Sequence, residues 1–261
     1  MDYQYITVAR RDHVTRITLN RPQVLNAINQ EMHDELQHAF DEFARDDEQF
    51  LGVIAGAGER AFSAGSDLKS IAARGRPHDY PASGYAGLIE RYDLDKPLIA
   101  AVDGVAAGGG FEVALACDII LATRRSRFGL PEPLVGVIAL GGGVHRLARQ
   151  VGLKQAMGLI LTGDLVDAAE GYRLGFVTAL VDDDGLEAAV DDWCARILRC
   201  APLAIRASRQ SVMRGLDEAD FASAMRNQAD YPAFRACYES ADRQEGALAF
   251  AEKRPPRWQG R

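Results

Sequence analysis

The chain has 261 residues, of which 48% are hydrophobic and 26% are charged, and its formal net charge is −7. These fractions are ordinary for a folded globular protein and exclude disordered, collagen-like and low-complexity classes. The length suits one large domain, or one domain with a smaller appendage. Because phosphate-binding surfaces need clustered Lys and Arg, the acidic balance argues against a dedicated nucleic-acid binder.

The last nine residues, Lys253 to Arg261, depart from this balance, since they hold four cations and no acid. Such a basic tail suits a phosphorylated ligand or an acidic neighbour, and it is equally typical of a solvated terminus. The sequence alone leaves these interpretations open.

Cysteine usage and the absence of targeting signals predict a cytoplasmic protein. No CxxC spacing or close pair occurs among the four cysteines, which are Cys117, Cys194, Cys200 and Cys237. This pattern fits a reducing compartment. The N-terminal MDYQYIT has neither a basic n-region nor an apolar h-region. No uncharged apolar run approaches the roughly 18 residues of a membrane helix, so we expect no membrane partner.

Hydrophobic periodicity assigns the first elements of the chain. Alternating residues at 3–9 and 13–19 predict a hairpin, and apolar residues at helical spacing predict an amphipathic helix over 28–43. A short buried strand is expected at 51–55. Residues 74–84 contain turn formers throughout and predict a loop.

Strands and helices continue to alternate further along the chain. Strands are predicted at 98–102 and 119–122, with a helix opening after Gly108 between them. The remaining predictions are helices at 141–150, 153–161 and 167–173, a strand at 176–181, and helices at 186–198, 202–213, 218–228 and 240–251. This order indicates an α/β core with parallel strands and a helical C-terminal extension. No fixed-period repeat is visible in the residues.

Several common catalytic motifs are weak or missing. The segment GAGERA, Gly56 to Ala61, matches the dinucleotide pattern GxGxxA. A second glycine turn follows it instead of an uninterrupted helix, which favours a simple turn. The five histidines form no HExxH motif, so we expect no metal site. Ser66 lies in no GxSxG motif and has no evident His partner, so nothing supports a serine hydrolase.

Two glycine turns precede predicted helical stretches, one in AGSDL (64–68) and one at Gly108–Gly110. Glycines let a backbone approach a ligand closely, and free N–H groups at a helix start attract negative charge. Two such turns that converge would form an oxyanion hole. Ordinary helix starts have the same pattern, so the residues allow both interpretations.

Two glutamates follow these turns. Glu112 lies in the first turn of the helix after the triple glycine, and Glu132 lies between Pro131 and Pro133. If strand pairing returns the chain, both carboxylates face one pocket as a general acid/base pair. Taken singly, each glutamate is also typical of a helix cap or of the surface.

Six motifs occur in order along the chain: RPQVLNAI (21–28), SAGSDL (63–68), DKPLIAAVDG (95–104), GGGFE (108–112) with CDII after it, FGLPE (128–132) and LTGD (161–164). With this ordered set the sequence resembles the crotonase, or enoyl-CoA hydratase/isomerase, superfamily over essentially the whole chain. The closing stretch, residues 246–261, is especially similar to the carnitinyl-CoA dehydratase branch.

The resemblance implies an α/β fold, namely a crotonase-like spiral of ββα units with a C-terminal helical extension. Residues 1–200 would form the core with the acyl-CoA site, and residues 201–261 a helical trimerisation segment. It further implies an acyl-CoA thioester as substrate and a homotrimer or a dimer of trimers. It implies no metal and no separate cofactor, since coenzyme A is part of the substrate.

The resemblance also implies roles for individual residues. The oxyanion-hole amides fall on Ser66 and Gly109, and the carboxylates that handle water fall on Glu112 and Glu132. Contacts with coenzyme A are expected from Val24, Leu25, Ala27, Ala64, Ser66, Asp67 and Leu68, and at the nucleotide end, commonly of a neighbouring subunit's ligand, from Phe250 and Lys253.

One segment departs from the family pattern. Residues 139–143 read ALGGG where the family usually has Pro-Gly-x-Gly-Gly, so Leu140 adds a side chain to a bare backbone turn. We expect this difference to affect pocket shape and substrate length.

The two glutamates favour an enoyl-CoA hydratase that also works in the dehydrating direction. The alternatives are a carnitinyl-CoA (crotonobetainyl-CoA) dehydratase, an enoyl-CoA isomerase, which needs only one base, and a non-catalytic acyl-CoA-binding protein, which would need neither carboxylate.

Overall fold

Ten β-strands and eleven α-helices make up the fold, in a computed structural model that describes residues 1–261. The strands are β1 (Ile6–Arg11), β2 (Val14–Leu19), β3 (Leu51–Gly56), β4 (Ala61–Ser63), β5 (Leu98–Val102), β6 (Val105–Ala107), β7 (Ile119–Thr123), β8 (Arg127–Gly129), β9 (Val166–Asp167) and β10 (Ala179–Val181). The helices are α1 (Gln30–Arg45), α2 (Leu68–Arg74), α3 (Gly109–Ala116), α4 (Gly143–Gln150), α5 (Leu153–Thr162), α6 (Ala168–Leu174), α7 (Leu186–Leu198), α8 (Pro202–Gly215), α9 (Phe221–Asn227), α10 (Pro232–Glu239) and α11 (Ala241–Glu252).

The strands form two sheets. The larger has the order β1-β2-β3-β5-β7-β10 and is parallel except for β1, and the smaller has the order β4-β6-β8-β9. Three successive strand pairs, β3–β4, β5–β6 and β7–β8, each give their first strand to the larger sheet and their second to the smaller. A helical segment follows each pair, so the chain winds as a spiral of ββα units.

The larger sheet is buried on both faces, which explains why its central strands are almost wholly apolar. One face packs against the main core of 36 buried residues, to which α1 contributes Met32, Leu36 and Phe40. The other face packs against α7 through a second cluster that contains Val190. Helix α1 begins where the Asn29 side chain accepts a hydrogen bond from the Met32 amide.

The structure corrects several element predictions. A strand was expected at 176–181, but only its last three residues form one, as β10. Phe176 is buried and packs over Gly171 of α6 before the strand begins. The helix expected at 218–228 is shorter, as α9, and α10 was not predicted. Strands β4, β6 and β8 were also missed, since three residues are too few for an alternating pattern.

The basic C-terminus folds back on the protein instead of extending into solvent. Asp242 of α11 accepts hydrogen bonds from the amides of Gln259 (2.7 Å) and Gly260 (2.8 Å). Arg254 pairs with Glu245 at 2.6 Å, and the Trp258 indole donates to the Arg199 carbonyl at 2.8 Å. The tail is thus tied to the protein, while Lys253, Arg257 and Arg261 remain exposed to solvent.

The helices after the two sheets leave large apolar side chains uncovered. Phe221 is 81% exposed and Phe250 is 88% exposed. A second exposed apolar run follows Glu132 and consists of Leu134, Val135, Val137, Ile138 and Leu140. None of the helices combines the length and apolarity that crossing a bilayer requires.

Candidate active site

The two segments expected to contact coenzyme A lie side by side. The Ala64 amide donates to the Leu25 carbonyl (2.9 Å), and the Ile28 amide donates to the Gly65 carbonyl (2.8 Å). The Asp67 amide returns a bond to Ile28 at 2.9 Å. The structure therefore brings together Val24, Leu25 and Ala27 with Ala64, Ser66, Asp67 and Leu68. Val24 and Leu68 are exposed at the edge of this pairing, whereas Ala27 is buried.

Buried polar side chains fix the turn around Gly65. The Asn26 side chain is fully buried and donates to the Ala61 carbonyl at 2.8 Å. The Ser63 hydroxyl donates to the Asn26 carbonyl (2.8 Å) and accepts from the Gly65 amide (3.1 Å). Because each of these buried groups has a partner, the network holds the backbone in one conformation.

An ion pair anchors the other side of the turn. Asp67 caps α2 by accepting from the Ser70 amide, and Arg21 binds the same carboxylate at 2.9 Å. Partial burial acts to raise the pKa of Asp67, but the Ser70 amide and Arg21 outweigh it, so this pKa lies below its ordinary value. Asp67 therefore stays ionised, in a structural role beside the turn.

Two amide donors without acceptors meet where the Gly65 turn approaches α3. Gly65 has a φ of +83°, and a Cβ there would lie 2.7 Å from the Ala107 carbonyl and 2.8 Å from the Gly109 nitrogen. Only glycine permits this approach. Neither the Ser66 N–H nor the Gly109 N–H donates a hydrogen bond within the chain. Two free backbone amides at one point are the donors that an oxyanion hole requires.

Glu112 lies in the first turn of α3, three residues after Gly109. Its side chain is 2% exposed, and it accepts a hydrogen bond from the Gly143 amide at 2.8 Å. A Cβ at Gly141 would lie 2.6 Å from a carboxylate oxygen of Glu112, so the glycine turn wraps closely around the carboxylate. The Leu140 side chain is 70% exposed and leaves this contact intact.

Glu132 approaches the same triple glycine from the other side. It begins a short 3₁₀ turn, Glu132–Val135, after Pro131. A Cβ at Gly108 would lie 2.8 Å from its Oε1 atom, while its Oε2 atom is buried without a hydrogen-bond partner. The structure thus brings both glutamates to the turn that carries the Gly109 amide.

Burial raises the pKa of both buried carboxyl groups. Burial raises the pKa of Glu112 to about 7, with the Gly143 amide opposing the shift and the charge of Glu132 adding to it. Burial also raises the pKa of Glu132. The charge of Glu132 disfavours ionisation of Glu112, so the pKa of Glu112 depends on its neighbour. With a pKa of about 7, Glu112 takes up or releases a proton near neutral pH, as a general acid or base does.

Arg146, on α4, was not identified from the sequence. Its guanidinium donates to the carbonyls of Ile89 (2.7 Å) and Gly141 (3.3 Å) and so ties the glycine turn to the preceding segment. The sequence around Arg146 is typical of an exposed basic helix face and gave no signal. The fold brings its charge near Glu112, whose pKa it acts to lower.

Phe250 and Lys253 lie at the end of α11, away from the Ser66–Glu132 site. Helix α11 packs on α10, and Phe250 is largely exposed, so neither residue contacts the Ser66–Glu132 site within one chain. Their contact with a neighbour's ligand stays a prediction. No group of three His, Cys, Asp or Glu side chains is placed to hold a metal ion.

The sequence and the fold match known proteins. The sequence profile of the enoyl-CoA hydratase/isomerase family matches residues 9–261. Carnitinyl-CoA dehydratase of Citrobacter koseri is 38% identical over 255 residues, which cover 97% of each chain. The corresponding protein of Proteus mirabilis is 37% identical over 99% of each chain.

Solved structures show the same family relationship at the level of the fold. An enoyl-CoA hydratase of Mycobacterium tuberculosis superposes with a TM-score of 0.91 and 36% identity over 98% of this chain and 99% of that one. One from Bacillus anthracis has a TM-score of 0.89 and 31% identity over 99% and 100%. The chain belongs to the enoyl-CoA hydratase/isomerase family and has the crotonase fold, with its C-terminal helical extension. The predicted fold class is confirmed.

The coupling of the two carboxyl groups can be measured without substrate. We expect the Glu112 carboxyl to titrate near pH 7 in a ¹³C NMR experiment on selectively labelled protein. In Glu132→Gln the midpoint should move to lower pH, because the neighbouring charge is gone. An unchanged midpoint would show that the two groups do not interact.

Proposed function

We propose that this chain is an enoyl-CoA hydratase, which adds water to a 2-enoyl-CoA thioester and catalyses the reverse dehydration. The observation that carries the proposal is the pair of buried carboxyl groups, Glu112 and Glu132, beside two amide donors that have no acceptor in the chain. Family membership supports the same class of reaction.

The thioester carbonyl oxygen would accept hydrogen bonds from the amides of Ser66 and Gly109. As water attacks, negative charge develops on this oxygen, and donors fixed in place beforehand stabilise it. One such donor contributes about 3–4 kcal/mol to transition-state stabilisation. The N-terminus of α3 adds a favourable dipole at the same point.

The two glutamates would divide the acid and base roles. The Gly143 amide would orient the Glu112 carboxylate as the base, and Glu132, whose buried Oε2 has no partner in the chain, would act as the acid. Glu112 takes a proton from water as the water oxygen bonds to the β-carbon. Glu132 gives its proton to the α-carbon, and proton exchange with solvent restores the pair.

Dehydration of carnitinyl-CoA is the second candidate, favoured by the relatives at 37–38% identity. It would use the same groups in reverse, with elimination of the β-hydroxyl.

An isomerase needs one base, so the second buried carboxyl argues against it. A protein that only binds acyl-CoA would gain nothing from an unpartnered carboxyl oxygen, whose burial is costly.

Replacing either glutamate tests the mechanism. Glu112→Gln and Glu132→Gln keep the side-chain volume and remove the acid/base group, so hydration of crotonyl-CoA should fall by about 10²–10⁴-fold. Acyl-CoA binding, measured by calorimetry, should persist because the oxyanion donors are backbone groups. The exposed Glu239→Gln serves as the matched control. Wild-type turnover in either active-site variant would contradict the mechanism.

We also propose that the protein works as a homotrimer or a dimer of trimers in the cytoplasm. The exposed apolar side chains of α9 and α11, such as Phe221 and Phe250, support burial against another subunit. In such an assembly Phe250 and Lys253 would reach the nucleotide of a neighbour's coenzyme A.

The assembly has a direct test. Lys253→Glu should weaken coenzyme A binding, because it reverses a charge beside phosphates, without changing the sedimentation coefficient of the trimer. Lys154→Glu, at another exposed lysine, should change neither property. An active wild-type protein that sediments as a 28.4 kDa monomer would contradict the shared site.

A further inference from the structure

The hydroxyl group of Tyr85 lies at the entrance of the oxyanion hole. Its oxygen is 3.3 Å from the Ser66 hydroxyl oxygen. On the other side, a Cβ added to Gly109 would overlap the hydroxyl end of the Tyr85 ring. The side chain is only 4% exposed. Tyr85 therefore lies between the two residues that supply the amide donors.

A tight turn holds Tyr85 in this position. Gly84 (φ 74°), Ala86 (φ 55°) and Gly87 (φ 61°) all have left-handed backbone, and such a φ is uncommon for a residue with a side chain. A Cβ on Gly87 would overlap the backbone of α1 at Gln37, so the turn lies directly on that helix.

His33, on α1, fixes the turn by a hydrogen bond and a ring contact. Its Nδ1 atom accepts a hydrogen bond from the Ala86 amide at 2.9 Å, and its ring meets the Tyr85 ring edge to face at 4.7 Å. Complete burial lowers the pKa of His33 to about 3, with His78 adding to the effect, so the imidazole stays neutral and keeps accepting. His33 thus holds Tyr85 in two ways, by a hydrogen bond to the amide of the next residue and by contact with the tyrosine ring.

The hydroxyl proton of Tyr85 has no acceptor in the chain. Ser66 donates its own hydroxyl proton to the Tyr85 oxygen, which leaves the Tyr85 O–H directed to another partner. Burial raises the pKa of Tyr85 far above its ordinary value, so the group remains a donor at any working pH. A buried donor without an acceptor is rare enough to need a reason.

We propose that the Tyr85 hydroxyl is the third donor to the thioester carbonyl oxygen, beside the amides of Ser66 and Gly109. This inference rests on the proposed function, since it names a further residue of the same site. The Ser66 hydroxyl, by donating to Tyr85, polarises the O–H and strengthens the bond it gives. Tyr85 is then a catalytic residue whose contribution grows as charge develops on the carbonyl oxygen.

Tyr85→Phe removes only the hydroxyl and keeps the ring on His33. We expect kcat for crotonyl-CoA hydration to fall about 10- to 100-fold, less than for the loss of an essential oxyanion donor, because two amides remain. KM should stay within about twofold. Tyr80→Phe is the matched control, since its ring lies 5.4 Å from that of Tyr85 and its hydroxyl makes no hydrogen bond in the chain. Its kcat should stay within about twofold of wild type.

A second measurement detects the hydrogen bond without turnover. Butyryl-CoA carries the thioester but no double bond, and its ¹³C-labelled carbonyl gives an isolated infrared band when bound. This band should lie at higher frequency in Tyr85→Phe than in wild type, because one donor is missing, and should be unchanged in Tyr80→Phe. A structural role alone would not move it in this way.

The outcomes separate the two proposals. A lower kcat together with the shifted band supports the third donor. A Tyr85→Phe protein with wild-type kcat, or with an unshifted carbonyl band, overturns it and leaves the proposed hydratase standing. A wild-type protein that binds butyryl-CoA but does not hydrate crotonyl-CoA overturns the proposed function, and the infrared comparison then still decides the role of Tyr85.

Discussion

The close approach of the Gly65 turn to the N-terminus of α3 is the constraint on which the site depends. No side chain fits between them, since a Cβ at Gly65 would fall within 2.8 Å of the Gly109 nitrogen. That approach sets the Ser66 and Gly109 amides side by side with no acceptor of their own. Gly108, Gly141 and Gly143 also lack a side chain where one would collide with a carboxyl group. Their bare backbone leaves room for Glu132 beside Gly108 and for Glu112 beside Gly141 and Gly143. Buried donors and buried carboxyl groups then act in a medium of low dielectric, where each electrostatic interaction is stronger than in water.

The sequence predicted the larger sheet and most helices, because strands buried on both faces and amphipathic helices leave strong patterns. Leu51–Gly56 and Leu98–Val102 are continuous apolar runs, and α1 has an apolar face at helical spacing. The smaller sheet was missed, since its strands have only two or three residues and are fixed by pairing across the fold. The ββα repeat was also hidden, because the spacing from β3 to β5 is more than twice that from β5 to β7.

The candidate site was predicted in part. Glycine turns and one glutamate between two prolines are visible as local motifs, and their family order predicted that Ser66, Gly109, Glu112 and Glu132 belong to one site. Tyr85 and Arg146 gave no comparable signal. Tyr85 directly follows the loop predicted at 74–84, and its position depends on left-handed turn geometry and on packing against His33. Contacts of this kind join residues far apart in the chain, and no local pattern encodes them.

The most direct test of the central claim follows the fate of water in the reaction. Wild-type protein is incubated with crotonyl-CoA in D₂O, and the product is examined by NMR and mass spectrometry. We expect 3-hydroxybutyryl-CoA with the hydroxyl group on C3 and one deuterium on C2, delivered by the carboxyl pair. Recovery of unhydrated crotonyl-CoA, or a thioester whose double bond has moved without addition of water, would contradict it.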